Sequence, residues 1–249
     1  MLPLINALTA LLNHWFAASL VALMTMLGIH VTHPSHPISN ALTMQLIVMT
    51  LLLFFFIAAR LSLSVEHPGT VQHTAEWIHE FVGNQAEQVI GHGYEKFLPF
   101  ATTIGLFVLL CNCFGLLPGF ETPTADPVAP LGIAILTFIY YNWHGVKAQG
   151  LLKYVKHFAG PIWWIAWLMF PIEVISHLAR MMSLTIRLYA NMLASDLITL
   201  VAFSLFPVVF PVLGLGLHFA VSLIQAYIFM LLGMIYLSMA VAHEDEASI

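Results

Sequence analysis

The stretch that decides the fold runs from Ile172 to Phe206, IEVISHLARMMSLTIRLYANMLASDLITLVAFSLF, and contains neither glycine nor proline. Nothing in these 35 residues interrupts an α-helix. Such a helix is about 52 Å long, whereas the hydrocarbon core of a bilayer is about 30 Å thick. The sequence therefore predicts a helix that is strongly inclined to the membrane normal.

A second overlong apolar run follows from Val212 to Ala242. Pro207 and Pro211 stand between the two runs and predict a turn. Residues 162–242 are therefore predicted to form a hairpin of two long, strongly inclined helices.

The composition of the whole chain indicates a membrane protein. Of its 249 residues, 60% are hydrophobic and 8% are charged, whereas a soluble domain has about 25% charged residues. Seven lysines and arginines are too few to neutralise a phosphate backbone, which excludes nucleic-acid binding. The long apolar runs predict an all-α membrane protein, a polytopic helical bundle, because a membrane β-barrel would show alternating segments of about ten residues.

The rest of the chain is expected to join the hairpin in a single membrane domain, 1–249. Residues 41–59 form one predicted span, and residues 97–147 form a predicted transmembrane hairpin. Between them, residues 60–96 have the apolar spacing of an amphipathic helix at the membrane interface.

The few basic residues predict the orientation of the chain. Arg60, Lys96 and Lys147 lie on one side of the predicted spans, and the positive-inside rule assigns that side to the cytoplasm. Residues 1–40 are then non-cytoplasmic, and the C-terminus is cytoplasmic. Within the N-terminal part, residues 8–29 fit either an additional span or an interfacial helix, and the interfacial reading is favoured by nearby polar residues, namely Asn13, His14, His30, His33 and His36.

The predicted inclined hairpin carries ionisable and amide side chains inside apolar sequence: Glu173, His177, Arg180, Arg187, Asn191, Asp196, His218 and Gln225. Burying a charge at membrane depth costs roughly 2.5–3.5 kcal/mol on insertion scales, so such residues point to function. Helical spacing puts Glu173, Arg187 and Asn191 on one stripe. Asp196 lies on the opposite face, and a contact with His218 across the turn is compatible with the hairpin. A fixed cation flanked by carboxylate and imidazole groups suits a proton path interrupted by an electrostatic barrier.

Two other functions compete with a proton path and are poorly supported. Thirteen histidines raise the possibility of a membrane haem protein, but no single span holds two well-spaced imidazoles. An intramembrane metalloprotease needs a His-Glu-x-x-His motif, and His79-Glu80 lacks the second histidine. The chain also has no phosphate-binding loop, so it is not expected to be an enzyme of ATP chemistry itself, and no cofactor or metal is expected.

Two motifs make a resemblance specific. The segment SLTIRLYANMLA at residues 183–194 and the segment QAYIFMLLGMIYLSMA at residues 225–240 resemble subunit a of the bacterial rotary ATP synthase, the stator channel of its membrane (Fo) sector. Further landmarks of that family occur in the same order, namely Pro68–Gln72 with Glu76, Gly91–Gly93, Asn112–Pro118, Pro123–Asp126 and Pro171–Glu173.

The resemblance implies a role for the cation of the hairpin. Arg187 matches the family's essential arginine, which faces the ring of c subunits, keeps each passing ring carboxylate deprotonated and blocks a direct leak between two half-channels. Asn191 and Gln225 match polar residues beside it. At two positions the sequence differs from that of many relatives. Met181 stands where they have proline, and Ala190 stands where they have glycine.

The resemblance also implies two offset half-channels and the partners they serve. Asp196 and His218 match the ionisable pair of the half-channel on the non-cytoplasmic side, and Glu173 matches a carboxylate of the cytoplasmic exit. The implied partners are the c-subunit ring, which the inclined hairpin faces, the b-subunit peripheral stalk, the remaining ATP synthase subunits and membrane lipid. The implied location is the bacterial inner membrane, where proton flow drives rotation and ATP is made on partner subunits.

Overall fold

The computed structural model describes residues 2–26, 38–64, 66, 68–117, 120, 122–150, 166–205 and 209–241. The regular structure of these residues is entirely helical, which confirms the all-α prediction. Seven α-helices follow one another: α1 (Leu2–Met26), α2 (Asn40–Leu61), α3 (Thr70–Ile90), α4 (Leu98–Phe114), α5 (Val128–Gln149), α6 (Ala166–Leu205) and α7 (Val209–Val241). Short 3₁₀ helices precede α4 and α5, at Tyr94–Lys96 and Pro123–Ala125.

Three of the described helices, α2, α6 and α7, are long and apolar enough to cross a membrane. Helix α6 has 40 residues and α7 has 33, which correspond to about 60 Å and 50 Å. Both exceed the hydrocarbon core, so the predicted pair of overlong helices is confirmed. Helix α4 is apolar but shorter, with 17 residues.

The two prolines expected in the turn do not both lie there. Helix α7 begins at Val209, so Pro211 belongs to its first turn, and the prediction that Pro211 lies in the turn is wrong. Proline is tolerated in a first helical turn because its missing N–H has no partner there anyway. Helix α6 is described from Ala166, before the run without glycine or proline starts at Ile172, and it includes Pro171. Residues 162–165, 206–208 and 242 of the predicted hairpin lie outside the described residues.

Helix α7 occupies the centre of the bundle and packs against α3, α4, α5 and α6. Its Phe229 is fully buried in a core that includes Leu188 and Met192 of α6 and Val108 of α4. A Cβ at Gly214 of α7 would lie 3.3 Å from the Thr199 Cα atom of α6, so the glycine permits the two helices to approach closely.

Helices α4 and α5 meet through aromatic rings as well as through α7. The Phe100 and Tyr140 rings stack with centroids 3.5 Å apart, and Phe97 meets His144 edge to face. Helix α5 runs to Gln149, beyond the apolar run that ends at Trp143. The Gln149 side chain donates to the Ala240 carbonyl oxygen at 3.0 Å, which ties the ends of α5 and α7 together.

Helices α1 and α3 lie at the periphery. Asn13 of α1 makes two hydrogen bonds with the Ile38 main chain, of 3.0 and 3.1 Å, which attach α1 beside α2. Helix α3 is the amphipathic helix predicted between residues 60 and 96, with Val82 and Ala86 buried and His79 exposed. Helix α1 is not among the described helices that could span a membrane. The expected polar cluster beyond it, His30, His33 and His36, lies outside the described residues.

Candidate functional site in the α6–α7 hairpin

The structure joins Asp196 of α6 to His218 of α7. The Asp196 Oδ1 and His218 Nδ1 atoms are 3.2 Å apart. The imidazole is only 1% exposed, whereas the carboxylate keeps 35% of its side chain accessible. The contact that the hairpin geometry had left open is therefore made, and the carboxylate is the partner that solvent can reach.

Two residues outside the hairpin hold this pair. Thr122 Oγ1 donates to Asp196 Oδ1 at 3.1 Å, and His218 Nε2 lies 3.0 Å from the Asn112 carbonyl oxygen. A carbonyl oxygen only accepts, so Nε2 carries a hydrogen, and Nδ1 is the ring atom that faces the Asp196 carboxylate. Thr124 donates to the Asn112 side-chain oxygen at 2.6 Å and fixes Asn112 in turn.

A polar cavity of about 480 Å³ opens beside Asp196. Its lining includes Thr122 and the carboxylate of Asp126, together with Ser39 and Asn40 at the start of α2. The cavity is large enough for many water molecules and has polar groups to hold them. Asp196 borders this cavity, whereas His218 is not among the residues that line it.

Asn191 and Gln225 form a second cross-helix pair, further along the hairpin. Asn191 Nδ2 donates to Gln225 Oε1 at 2.9 Å. Gln225 is 1% exposed, whereas Asn191 is exposed. This hydrogen bond fixes the register of α6 on α7 one helical turn from Arg187.

Arg187 has no carboxylate partner among the described residues. Its Nη2 atom donates to Ser183 Oγ at 3.5 Å, one turn earlier on the same helix. The residue is partly exposed, and its neighbours on that face, Ile186 and Ala190, are also exposed. A guanidinium at membrane depth is expensive unless a counter-charge meets it. The surface around Arg187 is therefore suited to an anionic group on a partner.

Glu173 lies at the other end of α6 and contacts His177. Glu173 Oε1 is 3.4 Å from His177 Nε2, and the hydroxyl of Tyr141 on α5 is 2.9 Å from His177 Nδ1. Arg180 lies over the Tyr236 ring, 5.6 Å from its centroid. The side chains at this end thus connect α6 to both α5 and α7.

The candidate residues are spread along α6 and α7 rather than gathered in one pocket. Arg187 lies 14 residues from Glu173 and nine from Asp196, which correspond to about 21 Å and 13.5 Å along the helix. The structure brings Asp196 together with His218 and Asn191 together with Gln225. Glu173 lies apart from both pairs, on the other side of Arg187 along α6.

Four contributors were not identified as site residues from the sequence. Thr122 lies in the connection before α5, Tyr141 lies on α5, and His177 was noted only as a polar member of the hairpin. Threonine and tyrosine are common in membrane helices and loops, so neither carries a signal by itself. Asn112 was noted only as part of a family landmark.

Comparisons with known proteins show the family of this chain. The ATP synthase A chain family matches residues 41–238. The chain is 52% identical over 238 residues to ATP synthase subunit a of Koribacter versatilis, an alignment that covers 96% of this chain and 97% of the relative. It is 49% identical to ATP synthase subunit a of Solibacter usitatus, over 84% and 90% of the two chains. The chain therefore belongs to the ATP synthase A chain family.

Proposed function

We propose that this chain, a proton-translocating subunit of the ATP synthase membrane sector, passes protons through two offset half-channels separated by Arg187. Asp196 and His218 serve the half-channel that delivers protons, and Glu173 serves the one that releases them. Membership of the family supports the role of a proton-translocating subunit. The positions of the side chains along α6 support the two half-channels and the barrier at Arg187.

The observation that carries the proposal is the partly exposed Arg187, which has no counter-charge in the described part of the chain. Such a cation attracts a carboxylate on a partner that slides past this surface, and it keeps that carboxylate ionised. Because the arginine side chain does not release its own proton, it cannot hand a proton across. It therefore acts as a barrier between the two ends of the site.

The sequence of events follows from these positions. A proton reaches Asp196 from the polar cavity and passes toward a carboxylate of the c-subunit ring, which becomes neutral and can enter lipid. After almost a full turn of the ring, another carboxyl group releases its proton near Glu173. Arg187 then attracts the anion. One proton crossing 100 mV supplies about 2.3 kcal/mol, which biases the rotation.

The basic residues support placing the Glu173 end at the cytoplasmic side. Lys147 lies in the last turn of α5, less than two turns beyond Tyr141, whose hydroxyl meets His177. Lys96 borders the same cavity as Lys147. By the positive-inside rule this end faces the cytoplasm. The Asp196 end is then non-cytoplasmic.

Replacing Arg187 tests the proposal. We expect Arg187→Ala to abolish ATP synthesis in reconstituted vesicles while allowing a passive proton leak, because the barrier between the half-channels is lost. Arg180→Ala is the matched control, since Arg180 is seven residues away on the same stripe and lies over a tyrosine ring. Coupled synthesis at the normal rate in Arg187→Ala would falsify the proposal.

A further inference from the structure

The start of α4 and the ends of α5 and α7 enclose a basic cavity of about 360 Å³. It shares no lining residue with the cavity beside Asp196. The described residues that line it are Lys96, Phe97, His144, Lys147, Ala148 and Val241. None of these carries a carboxylate, whereas two are lysines and one is a histidine. The basic cavity is therefore a positively charged site that the proposed proton path does not use.

The charge of the two lysines is not neutralised within the described part of the chain. None of the ion pairs formed there includes a lysine. Glu95 precedes Lys96 in the sequence, but it lines a different cavity together with Phe56 and His79. Lys96 and Lys147 are both exposed, so their ammonium groups are accessible to an anion.

The imidazole of His144 is held in one orientation at the wall of the basic cavity. Its Nδ1 atom lies 3.0 Å from the Tyr140 carbonyl oxygen, which only accepts, so Nδ1 carries a hydrogen. The Phe97 ring meets the imidazole edge to face, with centroids 5.3 Å apart. The Nε2 atom is left to donate to an anion when the ring is protonated.

The main-chain carbonyl groups at the ends of α5 and α7 do not cancel this positive charge. The Val146 carbonyl oxygen accepts from the Gly150 N–H at 2.8 Å, and the Ala240 carbonyl oxygen accepts from the Gln149 side chain at 3.0 Å. Carbonyl groups satisfied in this way compete less for the lysines. The second of these bonds also holds the two helix ends together beside the cavity.

The basic cavity lies at the level where a bilayer has its headgroups. Helix α7 is long and apolar enough to cross a membrane, and Val241 is its last residue. Next to His144 on α5 stands Trp143, which is 68% exposed, and exposed tryptophans concentrate at the membrane–water interface. Basic pockets between membrane helices bind the headgroups of anionic lipids. The anion that the surrounding bilayer supplies at this level is a phospholipid phosphate.

We propose that the basic cavity binds the phosphate group of an anionic phospholipid, with Lys96 and Lys147 as its cationic ligands and His144 as a further donor. Phe97 and Val241 provide apolar contacts for the part of the lipid below the phosphate. The bound lipid links the start of α4 to the ends of α5 and α7. The inference goes beyond the proposed function, because the lipid takes no part in proton transfer and its binding is measured without proton flow.

Photolabelling tests the site. The ATP synthase containing this chain is reconstituted in phosphatidylcholine vesicles with a small fraction of phosphatidylglycerol that carries a photoreactive group near its phosphate. We expect labelled peptides that include Lys96 or Lys147. Lys96→Gln and Lys147→Gln should each reduce this labelling about fivefold, the effect of one lysine at an anionic surface. Absence of label from both peptides in the unaltered chain overturns the inference.

The matched control removes a cation outside the basic cavity. Arg60 is exposed in the last turn of α2, on the same predicted side of the membrane, and does not line the cavity. Arg60→Gln is expected to leave the labelling unchanged. A loss equal to that of the two lysine variants overturns the inference, because it indicates a general attraction of the lipid to basic residues.

Two further variants separate the cavity from its charge. Lys147→Arg keeps the cation and is expected to retain the labelling. Ala148→Trp keeps both lysines but fills the cavity with a large ring, and it is expected to abolish the labelling. Labelling that survives Ala148→Trp overturns the inference, because the phosphate then binds outside the cavity.

The same assay distinguishes two other anions that could occupy the basic cavity. Excess inorganic phosphate is expected to leave the labelling unchanged, because the free ion makes no apolar contact, and displacement of the lipid by phosphate overturns the inference. The sequence continues beyond Val241 with Glu244, Asp245 and Glu246. Removal of residues 243–249 is expected to leave the labelling unchanged. Labelling that appears only after this removal assigns the cavity to the acidic segment of the chain itself and overturns the inference.

Discussion

The two ends of the site each pair a carboxylate with an imidazole, but they are built differently. Glu173 and His177 are four residues apart on α6, so helical periodicity alone brings them together. Asp196 and His218 are 22 residues apart on different helices, so only the packing of α6 on α7 brings them together. One pair is local and the other depends on the tertiary fold.

The imidazoles of the two pairs also differ in how deeply they are buried. His218 is 1% exposed, whereas Glu173 and His177 keep 30% and 13% of their side chains accessible. Water can replace a lost partner at the local pair, but it cannot easily do so around His218. The cross-helix pair is therefore expected to be the more sensitive of the two, because its buried imidazole has few alternative partners.

The largest effect is expected from neutralising the cross-helix carboxylate. Asp196→Asn keeps the size of the side chain but removes the ionisable carboxylate that faces His218. We expect ATP synthesis driven by an imposed proton gradient to fall about tenfold or more, the scale of a hydrogen bond to a charged group. Asp126→Asn is the control, since Asp126 lines the same cavity. Equal rates for the two variants would show that the cavity, not the pair, is the important element.

A smaller effect is expected from crowding the cross-helix pair without changing its chemistry. A Cβ at Gly115 would overlap Thr122 Oγ1 and would lie 3.0 Å from the His218 ring. Forcing an extra methyl group into a packed site typically costs about 1–3 kcal/mol, so Gly115→Ala should lower both proton uptake and thermal stability.

The control for this change is Gly132→Ala on α5, where an added Cβ has no neighbour within 4 Å. It should leave proton uptake unchanged. If Gly115→Ala behaves like Gly132→Ala in both measurements, then Thr122 and His218 are not held as tightly as the contacts indicate.

The smallest effect is expected at the local pair. Glu173→Gln removes an i,i+4 interaction worth about 0.3–0.5 kcal/mol, and His177 together with the water that reaches this partly exposed end can still accept the released proton, so a change of about twofold in the rate of ATP synthesis is expected. Glu80→Gln on exposed α3 serves as the control for a lost surface charge. A loss as large as that of Asp196→Asn would contradict the difference between the two ends.

Much of the helical architecture could be predicted from the spacing of glycine, proline and charged residues in the sequence. The absence of both breakers between Ile172 and Phe206 predicted an overlong helix, and α6 has 40 residues. The ends of the helices were harder to predict, as Pro211 shows. Proline is equally compatible with the connection between two helices and with the first turn of a helix.

The candidate site was predictable only in part. Charged and amide groups in apolar sequence were conspicuous, because lipid makes them expensive. Thr122 and Tyr141 were not, because a hydroxyl carries little penalty and its partner, Asp196 or His177, lies far away in sequence.

The sequence by itself determined that this is a helical membrane protein, which residues carry charge at membrane depth, and which of them share a face of one helix. Those properties depend on composition and on helical periodicity, which are local. Only the tertiary structure decided that Asp196 meets His218, that Thr122 and Asn112 hold them, and that Arg187 is left without a carboxylate partner among the described residues. These contacts depend on the register between helices, which is set by close packing across the whole bundle.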